Sequence, residues 1–418
     1  MRARAAIVTA PMLSKIVVRG FRALRDVTVE LPSGRPLVLI GENGSGKSSL
    51  LDALALVASF AQGHGGEAIY ARGGWQTIAW RGEAPTIDFE LEFARDSPFF
   101  ADDRGVVRYE LQIGHEGPTP TVLRERLTVQ KDGRDSPLAV LQGGARPFAR
   151  NARTGATDAT APAASSEKIV RNTVLAAIPD SPDYPTPRHM RSALASIATY
   201  AGFSLGASED SNRRPLGFRL AESTTRIARD GGNLLTALHT MSTAHPELWE
   251  ELLRDVAAVF PWCDAMSFPP VPTMKGHLAM LWTDRRSNTS LNLDDMSEGM
   301  RVYLATLAAL YAPDEPALIA LDEPERNLHP RALQRLMAVV EMRAARTPVF
   351  LATHSDRLLD FIDRPAASLA ICKLSNEGGV RIERMDAELL DDWLRDYSLS
   401  ELRARRAFDS AQERSYAR

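Results

Sequence analysis

The sequence predicts an α/β fold: a mostly parallel core sheet that carries an antiparallel β meander and an inserted helical lobe. Three observations predict it. A glycine-rich turn, Gly41-Glu42-Asn43-Gly44-Ser45-Gly46-Lys47-Ser48, stands between a short apolar run and an amphipathic stretch of helical spacing. Near-continuous apolar runs recur at 36–40, 316–321 and 349–353, as in strands buried on both faces. Helical patterns at 299–312 and 330–345 alternate with the last two runs, which is the signature of a parallel sheet.

The whole chain sets the limits. With 418 residues, 44% apolar and 25% charged, it can bury a substantial core in two or three domains, or in one large domain with an insertion. A net charge of −3 excludes a global basic field for nucleic acid but leaves a local basic groove open. Two distant cysteines, Cys263 and Cys372, fit a reduced, cytoplasmic protein. No apolar run approaches the ~20 residues needed to cross a bilayer, so no membrane partner is expected. Arg2, Arg4 and the alanine-rich residues after them are cut short by Pro11, and read as a disordered extension.

Taken in order, Lys15-Ile16-Val17-Val18 reads as a strand, 21–24 as a bend and 27–31 as a second, alternating strand. Residues 36–40 lead into the glycine-rich turn. From Ser49 to Phe60, Leu50, Leu51, Leu54, Val57 and Ala58 recur at helical spacing. Residues 86–93, 107–113 and 123–131 then form an antiparallel meander. Residues 143–166, rich in Ala, Thr, Gly, Ser and Pro, read as a mobile loop. Helices are expected at 169–178, 187–200 and 233–260, the last broken at Pro246. Core strands resume at 278–283, 316–321 and 349–353. A terminal hairpin, 368–374 and 380–385 around 376–379, and short helices at 387–396 and 399–406 complete the chain. The implied units are an N-terminal lobe (13–142), a flexible loop with helical lobe (143–270), a C-terminal lobe (271–365) and a tail (366–418).

The chemistry lies at the ends of the buried runs. Strand, glycine-rich turn and helix make a phosphate cradle. Backbone N–H groups from Gly41 through Ser49, including those of Asn43, Gly44, Ser45 and Gly46, can close round phosphates, and the helix N-terminus favours their charge. Lys47 can reach the β/γ-phosphates, and the Ser48 hydroxyl a Mg²⁺ ion. The run 319–321 ends in Asp322-Glu323-Pro324-Glu325. There Asp322 can hold Mg²⁺ through water, and Glu323 can orient or deprotonate a water that attacks the γ-phosphate. Met296-Ser297-Glu298-Gly299-Met300 opens a long apolar helix, with Ser297 also a plausible N-cap. His354, in Thr353-His354-Ser355, stands directly at a strand end.

This order of motifs resembles ABC-type ATPase heads of the branch that includes Rad50, SMC and RecF proteins. It is most similar to AAA_21/AAA_15-type ATPases and to the ATPase domains of OLD-family nucleases. Ile16-Val17-Val18-Arg19-Gly20-Phe21-Arg22 is similar to the N-terminal strand of that group. Asn327-Leu328-His329-Pro330 stands where transporters carry a different loop, and Asp230-Gly231-Gly232-Asn233-Leu234 resembles a helix start common in it. The resemblance implies a P-loop NTPase fold that binds and slowly hydrolyses ATP with Mg²⁺ and dimerises as an ATP sandwich, with higher assembly left open. In such a sandwich Ser297 and Gly299 contact the γ-phosphate held by the other copy. His354 contacts the γ-phosphate, and Arg22 approaches the nucleotide. The glutamine that the family carries between phosphate loop and signature has two candidates, Gln76 and Gln142.

The 64 residues after His354 are too few for the Toprim nuclease domain of OLD proteins, and Asp391-Asp392 lies on an expected helix. Three functions stay open. The first is an ATP-dependent switch for a separate effector, such as a Toprim nuclease in phage defence. The second is a DNA-repair or DNA-end-binding ATPase, and the third a nucleotide-locked scaffold.

Overall fold

The computed structural model describes residues 13–94, 105–117, 119–131, 134–142, 148–152, 155, 157–159, 173–203, 205, 218–220, 223–287, 289–375 and 378–405. The expected N-terminal extension, most of 143–166, Asn376-Glu377 of the hairpin turn and Arg406 lie outside these residues.

Two sheets sandwich the helix that follows the glycine-rich turn. The first begins with β1 (Leu13–Phe21) and β2 (Leu24–Glu30), joined by a tight turn at Arg22. After β3 (Leu37–Gly41), α1 (Lys47–Ala61) and two short helices, α2 (Gly65–Tyr70) and α3 (Trp75–Ile78), the chain returns to it. The meander comprises β4 (Ile87–Phe93), β5 (Val106–Glu116), β6 (Thr119–Lys131), β7 (Arg134–Gln142), β8 (Phe148–Arg150) and β9 (Thr157–Ala159). Among the described residues this first sheet is eight-stranded, ordered β2-β1-β4-β5-β6-β7-β8-β9. Period-two burial drives it: Ile87, Phe89, Leu91 and Phe93 are buried while the residues between them are half-exposed. The meander is therefore an extension of the first hairpin, through the β1–β4 pairing, rather than a separate unit. It also runs further than the sequence pattern suggests. β8 and β9 fall inside the stretch expected to be a loop, because backbone pairing at a sheet edge asks little of side chains.

The second sheet is the predicted parallel core. Its order is β10-β16-β17-β3-β18-β19, where β10 is Ala198–Ala201, β16 Ile319–Asp322, β17 Val349–Thr353, β18 Leu369–Leu374 and β19 Val380–Glu383. All pairings are parallel except β18–β19. β3 shows how the sheet divides the molecule. Leu37 and Leu39 face α1 and the meander, whereas Val38 and Ile40 face a second core.

α4 (Val174–Ala177) and α5 (Pro185–Ala195) pack near α1 in the first core. The second core is built from helices, with the long pair α6 (Leu234–Ala244) and α7 (Pro246–Val259) on the opposite face of the sheet. α8 (Glu298–Leu310) and α9 (Pro330–Ala344) fill the space between. Short helices α10 (Asp356–Leu359), α11 (Pro365–Ser368), α12 (Ala387–Trp393) and α13 (Leu399–Ala404) close the C-terminal end.

Two element expectations are corrected. The helix expected over 187–200 stops at Ala195, and 198–201 pair instead with β16 as the core's edge strand. Residues 278–283 do not join the core. They divide between β13 (His277–Ala279), paired with β11 (Phe218–Leu220), and β14 (Leu281–Asp284), which lies between β12 (Cys263–Ser267) and β15 (Thr289–Asn292).

Candidate nucleotide site

Four turns meet at the C-terminal edge of the core sheet: those after β3, β16 and β17, and the end of β10. The register fixes their proximity, since Ile40 pairs with Thr353 and Asp322 with Ala352.

The turn after β3 makes the cradle. Gly46 takes φ 97°, a left-handed conformation open to glycine, and lets the chain enter α1 without a side-chain cap. The first N–H groups of α1 are thereby left free toward the loop, a ready anion site. Lys47 is buried, and its amine donates to the carbonyls of Gly41 and Glu42, both at 2.8 Å, and to Ser45 Oγ at 3.4 Å. Burial lowers its pKa, against the opposing pull of Cys372, Asp322 and Glu323. The buried Cys372 thiol donates to Ser45 O at 3.0 Å and so supports the loop from β18.

The turn after β16 carries three carboxylates in three environments. Asp322 accepts a hydrogen bond from Ser48, while burial, joined by the nearby Glu323 charge, raises its pKa. Its Oδ1 is buried and has no hydrogen-bond partner. A hydroxyl and a carboxylate with an unused, buried oxygen are the donor set Mg²⁺ takes beside phosphates, so these residues fit that ion. Glu323 sits at φ 48°, uncommon for a non-glycine residue, and its N–H donates to Ala352 O at 2.8 Å. Its Oε1 lies 2.9 Å from His354 Nδ1, and its Oε2 lies 3.7 Å from Arg326. Glu325 points inward. It accepts a 2.5 Å hydrogen bond from the Thr353 hydroxyl, and burial raises its pKa.

The remaining predicted positions are distributed more widely. Arg22 pairs with Asp52 of α1 at 3.0 Å, and Arg72 shares the same carboxylate at 2.8 Å. Ser297 is the exposed N-cap of α8, its hydroxyl accepting from Met300 N at 3.3 Å. Gly299 is packed so tightly that a Cβ there would lie 2.4 Å from Asn327 O. The S-E-G and N-L-H-P segments are thus one packed unit. Among the described residues, neither Ser297 nor Gly299 makes a hydrogen bond to the phosphate loop of its own chain. Gln76 is exposed on α3 and Gln142 ends β7. Neither lies on β10, the edge strand that pairs with β16 and ends at Ala201.

Sequence reasoning missed the supports. Glu325 and Thr353 stand inside the recognised motifs, and their pairing was accessible from the adjacency of two strand ends. Asp52, as the counter-ion of two arginines, and Arg403, which reaches the turn after β17, carry no local signal.

The sequence profile of the family described as "AAA domain, putative AbiEii toxin, Type IV TA system" matches residues 37–360. The chain belongs to this family. It is accordingly a member of a P-loop ATPase family, with a phosphate loop and carboxylate turn assembled as described above. Its fold is that of SMC head domains. The SMC head solved bound to the C-winged helix domain of ScpA aligns with a TM-score of 0.54 at 13% identity, over 91% of this chain and 100% of that one. An SMC head with an extended coiled coil, bound to the C-terminal domain of ScpA derived from Pyrococcus furiosus, aligns at 0.50 and 12% identity, over 92% and 99%. No curated protein sequence matches the chain. Among the described residues no helix is long and apolar enough to cross a membrane.

Proposed function

We propose that this protein binds ATP with Mg²⁺, hydrolyses it slowly at a site completed by a second copy of the chain, and acts as a switch for a separate effector protein. The observation that carries the reading is the convergence of Asp322, joined to Ser48, and Glu323, joined to His354, on the edge of the sheet from which the phosphate loop springs. In this reading Lys47 and the loop N–H groups bind the β- and γ-phosphates, and Ser48 and Asp322 hold the metal. Bound Mg²⁺ supplies neutralisation of the phosphate charge. Glu323 accepts a proton from the attacking water, and His354 fixes Glu323 in place.

The dimer follows from Ser297. The residue is exposed and, among the described residues, its hydroxyl bonds only within its own helix, which is compatible with the contact to a γ-phosphate on another copy that the family resemblance implies. SMC heads of this fold have been solved with a bound ScpA domain, which supports a protein client by likeness of fold. In the same proposal the effector acts in phage defence. DNA is the second reading, and a specific feature favours it. Two adjoining cavities beside the C-terminal end of α1 are lined by Arg188, His189 and Arg191, and by Arg226 and Arg229. Asp180 in the first pairs with Arg188 at 3.6 Å and Arg191 at 3.9 Å, and Asp314 lies 3.7 Å from Arg226, so part of this charge is already balanced.

The deciding experiment is the native mass of Glu323→Gln with ATP and Mg²⁺, alone, with duplex DNA, and with a protein encoded next to it. The expected result is an ATP-dependent dimer that Ser297→Arg abolishes. Co-elution with the neighbour supports the effector reading, and retention of DNA the second. A mass unchanged by ATP overturns the sandwich.

A further inference from the structure

The peptide unit that follows the His354 side chain is gripped from both ends by side chains. Its N–H, on Ser355, donates to Thr353 Oγ1 at 2.9 Å, and that hydroxyl is itself committed to the half-buried Glu325 at 2.5 Å. Its C=O, on His354, accepts from Arg403 Nη1 at 2.7 Å. The same nitrogen lies 2.8 Å from Asp356 Oδ1, so the guanidinium bridges the backbone of the turn and the first residue of α10. No regular secondary structure holds this peptide; two side chains from opposite directions do.

Arg403 is itself well anchored. α13 begins with a reciprocal capping box between Ser398 and Glu401, buries Leu399 and Leu402, and ties Ser400 to Asp360 by bonds of 3.0 and 2.7 Å. The arginine also lines a cavity of about 480 Å³ with Gly41, Glu42, Asn43 and Ser45 of the phosphate loop, and its charge acts on Lys47. One side chain from the C-terminal end of the described chain therefore stands against both halves of the site.

We infer that Arg403 is a positioning residue for hydrolysis: by holding the His354 carbonyl it sets the imidazole that holds Glu323 Oε1 at 2.9 Å. This rests on the ATPase reading above. Because the arginine touches the turn and not the phosphates, its loss lowers kcat and leaves the KM for ATP nearly unchanged. A small displacement of a catalytic group costs about tenfold to a hundredfold in rate.

The test is steady-state phosphate release by the full chain for wild type, Arg403→Ala, Arg403→Lys, His354→Ala and the double variant Arg403→Ala/His354→Ala. Expected are a kcat about tenfold or more lower for Arg403→Ala, partial recovery in Arg403→Lys, and no additional loss when His354 is already absent. A merely structural arginine gives instead the same loss in both backgrounds, and that result overturns the inference. So does an Arg403→Ala enzyme with wild-type kcat, or one changed only in KM. Where Arg403→Ala fails to fold, Arg403→Lys and Arg403→Lys/His354→Ala complete the same cycle. A wild-type protein that binds ATP and releases no phosphate refutes the ATPase reading itself, a result separate from any ranking of the variants.

Discussion

Glu125 offers a quantitative test of how the meander is joined to the nucleotide helix. It lies buried on β6, where its carboxylate accepts hydrogen bonds from Tyr109 at 3.0 Å, from the backbone N–H of Val174, and from that of Leu175 at 3.3 Å. The neighbouring Thr173 donates to Phe60 O at 3.1 Å, so one short segment links β6 to the C-terminal end of α1. Burial outweighs the three donors and pushes the Glu125 pKa from 4.5 up to about 7. At about 1.36 kcal/mol per pH unit, that raises the cost of ionising it in the fold by roughly 3 kcal/mol. Between these two values the folded state holds the proton that the unfolded chain has released. The stabilisation is thus fully present below about pH 4.5, falls as pH rises, and is lost once pH passes about 7. Other carboxylates with raised values, the half-buried Asp322, Glu325 and Glu341, slope the same way, so the observable is a difference between proteins. Chemical denaturation of wild type and Glu125→Gln at pH 5, 6, 7 and 8 isolates it. The wild type should lose roughly 2 to 3 kcal/mol relative to the variant across this range. Hydrogen exchange at Val174 and Leu175 should quicken in parallel, beyond the intrinsic effect of pH. A difference that is flat, or that favours wild type as pH rises, shows that the three donors hold an ionised carboxylate and refutes the reasoning.

Two further outcomes follow from the site. Asp322→Asn removes the charge beside Ser48 while keeping the shape, so ATP binding without metal should persist while Mg²⁺-dependent phosphate release falls by about a hundredfold or more; titration of Mg²⁺ against rate checks this, and an unchanged metal dependence assigns the ion elsewhere. Gly299→Ala drives a methyl against Asn327 O, where only 2.4 Å is available. Overpacking of this kind costs about 1 to 3 kcal/mol, and thermal unfolding should record it, together with a weaker ATP-dependent dimer; an unaltered melting curve shows that the two loops separate freely.

Legibility followed the distance over which each interaction acts. The phosphate loop, the carboxylate turn and the strand-end histidine could be read because each is a contiguous run whose flanking apolar residues state its place in a sheet. The expected bounds for β17 and α1 fell close to those observed for the same reason. β10 could not be read. Ala198-Thr199-Tyr200-Ala201 continues the composition of α5, and only its pairing with β16 makes it a strand. Residues 277–284 alternate like any half-buried strand, and alternation does not say which sheet a strand joins.

The supports of the site obey the same logic, with a consequence for mechanism. β18 lends Cys372 to the phosphate loop and α13 lends Arg403 to the turn after β17, yet neither segment bears a motif. The residues proposed to bind phosphates sit in turns too short to hold themselves. Glu323 keeps its uncommon backbone angle while its N–H meets Ala352 O, and the peptide after His354 keeps its plane between Thr353 and Arg403. Each such restraint is also a coupling. A nucleotide that shifts the turn after β17 must shift α13 or break its bonds, and a protein that captures α13 must act back on His354 by the same amount of free energy. In the proposed switch, α13, a segment without motifs, is therefore the part best placed to exchange information with an effector.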